Sequence, residues 1–465
     1  MRRSFKGTVH LLLLVSLSAC GVTHEYKKPD MPVPESFRGG STPAKGIPSD
    51  SSVAMLPYSS FFADTTLCAL IDSAVANNLD LLVAVKNIEY AQQTLNTSRL
   101  GLLPTLNLGV QTTQTHPSDN GVKTNLEDNS ASVTSSWEVD IWGKIRSRNR
   151  SALASYLKTQ EAAKAVRTRL VADVASGYYN LLMLDVQLES SKKNLALADT
   201  TVKMIGLQYD AGQVTSLAVQ QQEALRQSIA GFLPAIEQKI AVQENALSTL
   251  CGKMPGSIGR DRALFGIKVA DDLPAGIPAA LLQNRPDVRA AELAVRGAYA
   301  DMGEAEAALY PSLTVTATGG VEAFKKSEWF TVPGSIFGLL QGAVLQPVFQ
   351  RGQLKAKYEQ SKIKREQAEL EFKHSLFKAV GEVSNAMVSL EKIASQERIA
   401  TERVATLQGA LSNAGQLFGS GMATYLEVIV AQTNTLQAEL ALADIRRQHL
   451  VAKAELYRSL GGGWR

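Results

Sequence analysis

The chain has 465 residues, 45% of them hydrophobic and only 6% aromatic, with a formal net charge of +4. That length exceeds one ordinary core and suits two or three substructures. Three of the positive charges, Arg2, Arg3 and Lys6, lie in the first nineteen residues, so the rest is near neutral and offers little of the basic surface that nucleic-acid binding needs.

The N-terminus reads MRRSFKGTVHLLLLVSLSACG, a basic stretch, a short apolar run and then small residues. This pattern predicts a secretory signal over residues 1–19, too short to span a bilayer stably. Its end, Leu17-Ser18-Ala19-Cys20, resembles a bacterial lipobox. That resemblance implies a lipidated Cys20 as the first mature residue. Gly21, rather than Asp, follows the cysteine, which the resemblance reads as sorting to the outer membrane. Within the N-terminal segment 20–66, residues 21–57 hold Pro29, Pro32, Pro34, Pro43, Pro48 and Pro57 among few apolar residues, and predict a tether rather than a domain.

The remainder reads as one unit written twice. Asn77-Asn78-Leu79-Asp80 matches Asn284-Arg285-Pro286-Asp287, and Leu103-Pro104-Thr105-Leu106 matches Tyr310-Pro311-Ser312-Leu313, both at an offset of 207. YDAGQVTSLAV (209–219) matches FGSGMATYLEV (418–428) at 209, and Leu250-Cys251-Gly252 matches Leu460-Gly461-Gly462 at 210. The predicted repeats are 67–252 and 279–465, joined by a linker at 253–278. Each begins with a helix, roughly 67–101 and 279–308, the second opening on Pro286 with Asp287 beside it.

Two strand-like segments follow in each repeat, within about 104–142 and 311–350. In SASVTSSWEVDI, Val133, Ser135, Trp137, Val139 and Ile141 share one face, and polar residues share the other. Leu106, Leu108 and Val110 alternate likewise, as do Leu313, Val315 and Ala317; the fourth segment, about 336–349, alternates less cleanly. Alternation alone fits either transmembrane strands around a wet lumen or a soluble sheet packed on one face. Neighbouring elements far longer than a soluble core favour the membrane reading.

Those elements run from Gly143 to Gly212 and from Gly352 to Gly421 without a proline. A continuous helix of that length is about 100 Å long. Val174, Leu181, Leu188, Leu195, Val202 and Tyr209 recur every seven residues, and so do Gly177, Leu184, Ser191, Ala198 and Ile205. The second copy repeats the seam with Val383, Leu390, Val404, Leu411 and Phe418, and with Ala386, Ile393, Ala400, Leu407 and Ala414; Glu397 alone breaks it. A sustained seven-residue period predicts a coiled-coil seam, since a straight amphipathic helix drifts off it. The hairpin turns fall near Gly212 and Gly421, and return helices follow over about 214–250 and 424–460. Pro234 is expected to bend or break the first return.

Four strands per chain cannot close a barrel, and open edges cannot face lipid. Two chains supply eight strands and a filled interior, three supply twelve and a passage; the trimer is the economical reading. Cys68 and Cys251 have no metal-binding spacing, and nothing in it either requires or forbids a disulfide. The histidines and methionines are scattered, no phosphate loop appears, and no catalytic or metal constellation emerges.

In SWEVDIWGKIRS (136–147), LLQNRPDVRAAE (281–292), ALYPSLTV (308–315), LQPVFQRGQLKA (345–356) and KAELYRSLGGGW (453–464), the chain resembles the TolC-like outer-membrane factors of tripartite efflux systems, in their NodT-type lipoprotein branch. The resemblance covers essentially the whole mature chain. It implies a homotrimer: a twelve-stranded transmembrane β-barrel above an all-α coiled-coil tunnel in the periplasm, with no enzyme activity and no cofactor. It implies as partners a periplasmic adaptor and an inner-membrane transporter, often of the resistance–nodulation–division type, and location in the outer membrane. On that scheme Gly212 and Gly421 turn the periplasmic tips, and Leu217, Leu426 and Glu427 are the candidate gate residues. Relatives often carry an acid where this chain has Val430, so an acidic ring does not carry over directly, and Glu427 is either lumen-facing or a solvated helix charge. The first turn runs on into a polar QQQ and the second into an apolar VIV, so the second is the better gate candidate. Two other functions share the same features: a duct for type I protein secretion, and a non-conducting structural or adhesive trimer.

Overall fold

A computed structural model describes residues 26–29, 31, 34, 36–38, 53–62, 64–115, 126–267 and 278–464. The signal over residues 1–19, Cys20, most of the tether and residues 268–277 of the linker lie outside the described residues.

Helices α1 (Thr65–Asn77) and α2 (Leu79–Leu100) lead into strands β1 (Thr105–Thr115) and β2 (Leu126–Val139). Helix α3 (Lys144–Asp210) runs 67 residues, and α4 (Ser216–Leu250) returns over 35. The second copy repeats the order with α5 (Pro286–Ala307), β3 (Ser312–Ala323), β4 (Ile336–Leu345), α6 (Gln353–Gly419, 67 residues) and α7 (Tyr425–Ser459, 35 residues). The helix limits of the two copies coincide when α2 is moved by 207 positions and α3 and α4 by 209. These elements form two compact units, one built mainly from 87–160 and 290–373, the other mainly from 161–289 and 374–465.

Two expectations about helices are corrected. The leading helix of each copy is not continuous. Asn78 stands between α1 and α2 in extended backbone, and its Oδ1 accepts from the Leu81 N–H at 3.0 Å, capping α2. Its Nδ2 donates to the Leu250 carbonyl at the end of α4 at 3.0 Å. In the second copy Arg285 breaks the chain in the same place, between a helical turn at Leu281–Asn284 and α5. Its guanidinium donates to the Ser459 carbonyl at the end of α7, also at 3.0 Å, and pairs with Asp287 and Glu382. Different side chains thus perform the same fastening. The second concerns Pro234, which does not break α4: the helix runs on through it, and the proline itself is exposed.

The heptad seam is the core of the second unit. Val174, Leu181, Ala198, Ile205, Val383 and Val404 are buried along it, and Tyr178 and Tyr457 are the largest fully buried side chains. Glu397 breaks the apolar pattern without leaving the seam. Its two carboxylate oxygens are bound by Arg446 at 2.7 Å and by His449 Nδ1 at 2.5 Å, both from α7, and Arg446 also donates to the Ile267 carbonyl. The first copy places Leu188 and Ile240 at the positions of Glu397 and His449, and both join the apolar cluster there. One copy closes this layer with hydrocarbon, the other with charge.

Cys68 and Cys251 are both free. Cys68 Sγ donates to the Phe62 carbonyl and Cys251 Sγ to the Leu70 carbonyl. Burial pushes both thiols up from their ordinary range, which keeps them protonated and slow to oxidise.

Gly252 and Gly461 end the two returns with positive φ, 65° and 94°. A side chain would be blocked at each: a Cβ on Gly252 would stand 2.2 Å from the Asn77 carbonyl oxygen, and one on Gly461 2.5 Å from that of Asn284. Gly252→Ala and Gly461→Ala are each expected to lower the thermal midpoint, by a cost on the order of 1–3 kcal/mol. Gly212→Ala is the control, since φ is +73° there but nothing lies within 4 Å. A smaller loss at Gly212 than at Gly252 separates collision from dihedral strain; equal losses would assign both to the dihedral.

Candidate channel wall and gate

The four strands pair antiparallel in the order β1-β2-β3-β4, so the two copies meet at β2 and β3, and β1 and β4 are left as edges. Register carries Leu108 opposite Val133, Val133 opposite Gly319, and Gly319 opposite Gly338. Pairing keeps residues on one face. One face therefore carries Leu106, Leu108, Val110, Val133, Trp137, Val139, Leu313, Val315, Val321, Ile336, Leu340 and Val344. Leu106, Leu108, Leu340 and Val344 are each at least 71% exposed. The opposite face carries Asn107, Gln111, Ser132, Thr134, Ser136, Thr314, Thr316 and Thr318, with Thr134 and Thr318 hydrogen-bonded across the strands at 3.2 Å. In β4 this second face also holds Phe337, Leu339 and Leu345, which is why its alternation was faint.

Aromatic residues flank the apolar band at both ends. At one end Trp137 donates to the Leu102 carbonyl, and Trp142 donates to that of Pro311 while stacking on Tyr310 at 5.0 Å. At the other, between β3 and β4, Trp329 lies 5.2 Å from Phe330, and Phe324 and Phe330 are exposed. An outward apolar band between aromatic girdles, backed by a polar face, is the pattern of a transmembrane barrel wall. No single helix among the described residues is long and apolar enough to cross a membrane. Leu108→Arg, in mid-band, is expected to cost about 2–4 kcal/mol in lipid. Folding into vesicles measures it; Thr134→Arg on the polar face serves as the tolerated comparison.

The hairpin turns share one construction. The Gln213 N–H reaches back to the Gln208 carbonyl and the Met422 N–H to that of Leu417, each at 2.8 Å, closing the helix end around a left-handed glycine. Gly212 and Gly421 have φ of 73° and 75°. Ile205, Ala218, Phe418 and Val428 pack the two hairpins together. Above them Gln222 donates to Gln432 at 3.3 Å, and Gln432 to Thr201 at 2.9 Å, a buried polar layer that the sequence reading of QQQ as simply polar did not reveal.

Leu217 and Leu426 occupy equivalent positions in the first turns of α4 and α7, and each is 54% exposed. Neither is among the residues of the apolar cluster that packs the two hairpins. Val430, one turn beyond Leu426, is also exposed, so α7 shows two consecutive apolar side chains where α4 shows Leu217 and Gln221. Glu427 has a local task. Its carboxylate accepts from the Thr424 N–H at 2.5 Å and from the Thr424 hydroxyl at 3.2 Å, a capping box at the start of α7. The Thr424-x-x-Glu427 spacing was the available signal for it. Among the described residues no group of His, Cys, Asp or Glu is arranged to hold a metal ion.

A family profile described as outer membrane efflux protein matches residues 70–253 and again 277–462. The chain belongs to the outer membrane efflux protein family. The two matched segments start 207 residues apart, the offset of the internal repeat. The toluene efflux pump outer membrane protein TtgF of Pseudomonas putida is 29% identical, over 98% of this chain and 96% of its own. The cation efflux system protein CusC of Escherichia coli is 26% identical, over 97% of each chain. The solved outer membrane channel MtrE of Neisseria gonorrhoeae, in its open state, superposes with a TM-score of 0.87 at 24% identity, covering 96% of this chain and 99% of its own. An outer membrane efflux protein is a transport component of the outer membrane and not an enzyme, and the apolar-faced sheet described above is its membrane element.

Proposed function

We propose that this outer membrane efflux protein is the passive duct of a tripartite pump. The observation that carries the reading is the sheet with an apolar outer face and two open edges, β1 and β4. In lipid such edges must be closed by other copies. Three copies supply twelve strands, enough for a passage rather than a filled plug. Their long helices then form a tunnel into the periplasm. No phosphate-binding loop appears in the sequence, and the flow is driven by a periplasmic adaptor and an inner-membrane transporter, of the resistance–nodulation–division type. The relatives named for toluene and for a cation suit a duct that leaves substrate choice to the pump.

The tips near Gly212 and Gly421 are the gate, with Leu426 and Val430 narrowing it and the first hairpin flanking. Cys20 carries the lipid anchor. Cys20→Ser is expected to lose fatty-acid labelling and keep its trimers, since closure of the open sheet edges, rather than the lipid, holds the copies together. The test of function is deletion of the gene. A duct for small molecules predicts raised accumulation of a lipophilic dye with an unchanged secreted proteome. Loss of a secreted protein with unchanged dye would favour the secretion duct, and no change in either the structural trimer.

A further inference from the structure

An α-helix favours carboxylates in its first turn and disfavours cations there, because its N-terminus carries a partial positive charge. Both long helices run against this preference. α3 opens on Lys144, Arg146 and Arg148, and α6 on Lys355 and Lys357 with Arg351 just before it; neither has an acid in its first turn. The first repeat answers its cations within the chain. Lys144 pairs with Glu138 at 2.9 Å, Arg146 with Asp140 at 3.1 Å and Arg148 with Glu304 at 2.7 Å. The second repeat, at an offset of 209, has Pro347 and Phe349 where Glu138 and Asp140 stand. Residues 345–358 contain no Asp or Glu, and among the described residues the exposed Arg351 and Lys355 have no ion-pair partner.

Arg351 also departs from a backbone preference. The Gln353 N–H donates to the Gln350 carbonyl at 2.9 Å, closing a turn in which Arg351 and Gly352 have φ of 50° and 74°. Gly, Asn or Asp ordinarily fills the first of these positions. Among the described residues Arg351 is the only non-glycine with positive φ. Helix electrostatics and turn chemistry both disfavour a cation at this turn, and such local departures mark function more than folding.

The location indicates the partner. Arg351 falls where the first repeat has Trp142, the girdle tryptophan stacked on Tyr310. The turns leading into α3 and α6 together line a cavity of about 180 Å³ with Trp142, Tyr310, Pro347 and Gln350, so they lie side by side at the rim of the apolar band. Val348 and Phe349, just before the turn, are 92% and 84% exposed. Lys144 and Arg148 line the cavity on the polar side of the sheet, and Arg146 stands about 200° from each around the helix. Lys355, the counterpart of Arg146, therefore takes the side away from the lumen, and Lys357, the counterpart of Arg148, the side toward it. An exposed apolar pair at the band, followed by two unpaired cations on the outer side, complements a lipid with apolar chains and a negative headgroup.

We propose that Arg351 and Lys355 bind the headgroup of an anionic phospholipid of the periplasmic leaflet, with Val348 and Phe349 against its acyl chains. The N-terminus of α6 adds its own attraction for the phosphate. The proposal rests on the duct reading, which stands the helices on the periplasmic side of the membrane.

The probe is phosphatidylglycerol, with phosphatidylcholine as the neutral comparison, titrated into the detergent-purified assembly and counted as bound lipid by native mass spectrometry. The parent protein is expected to bind phosphatidylglycerol severalfold more tightly, and to lose that preference as salt rises. One Lys or Arg beside an anionic headgroup contributes about fivefold. Arg351→Gly and Lys355→Gln are each expected to lower the preference by about that factor, and the double variant to abolish it. Glycine suits the left-handed turn and Lys355 is exposed, so both variants keep the fold; the assembly mass in the same spectra checks it. Lys357→Gln removes an equal charge from the other side and is expected to leave the preference unchanged. Equal affinity of the parent for both lipids, or an equal loss in Lys357→Gln, overturns the site and leaves the duct standing. Binding of soluble acidic peptidoglycan fragments in place of phosphatidylglycerol, lost in the same variants, overturns it in favour of a cell-wall contact. A parent that enters vesicles of neither lipid overturns the duct reading as well.

Discussion

Glu397→Ala is expected to destabilise the protein by about 3–5 kcal/mol, because it strands a charge whose partner has been removed. Arg446 and His449 both converge on this carboxylate, and all three side chains are largely shielded from water. Without Glu397, the Arg446 guanidinium keeps only the Ile267 carbonyl among these partners, inside a helical seam. The first repeat supplies the informative comparison, since Leu188 and Ile240 stand where Glu397 and His449 do, while the counterpart of Arg446 is the exposed Glu237. Glu397→Leu/Arg446→Met/His449→Ile is therefore expected to fall within about 1 kcal/mol of the parent or above it, as when a buried ion triad yields to well-packed hydrocarbon. Thermal midpoints of the purified assembly measure both. A triple variant as unstable as Glu397→Ala would mean that the polar layer, and not merely its pairing, holds the seam.

Leu217→Ser/Leu426→Ser is expected to raise planar-bilayer conductance severalfold over the parent protein. Apolar rings close a pore by excluding water, and a hydroxyl at the narrowest ring lets water remain. Leu426 carries the larger share, because Val430 extends its apolar face while Gln221 follows Leu217. The charge beside it behaves differently. Glu427 is committed to Thr424, so Glu427→Gln is expected to leave conductance nearly unchanged and to shift stability by no more than about 1 kcal/mol, the scale of a helix cap. A large conductance change in Glu427→Gln would instead place its carboxylate in the permeation path. Silence in both the parent and the serine variant would remove the duct reading.

Much of this architecture was legible from residue spacing. The duplication, the heptads and the faces of β1, β2 and β3 all follow from periods in the sequence, and periods are what regular backbone imposes on side chains. What escaped were contacts between residues far apart in the chain. Glu397 was visible as a flaw, but its partners lie 49 and 52 residues on, in another helix. Asn78 and Arg285 fall in register in the repeat but differ in chemistry, yet both fasten the end of a return helix. β4 hid its alternation because Phe337, Leu339 and Leu345 occupy the face that is polar elsewhere. Pro234 misled for the opposite reason: a local rule was applied where exposure makes its violation cheap. Glu427 was a local signal left unread, since its capping partner is three residues away.

The two long helices are both 67 residues and the two returns both 35. That equality constrains how such a protein can change in evolution. Inserting one heptad into α3 alone would lengthen one hairpin by about 10 Å and leave the other behind. A partner sitting across both tips would then meet a step rather than a level rim. Changes of reach must therefore arrive as matched events, in both arms of a hairpin and in both copies of the repeat. Substitutions meet no such requirement, and the two copies are free to diverge residue by residue, as Leu188 and Glu397 have done, while their lengths stay locked together.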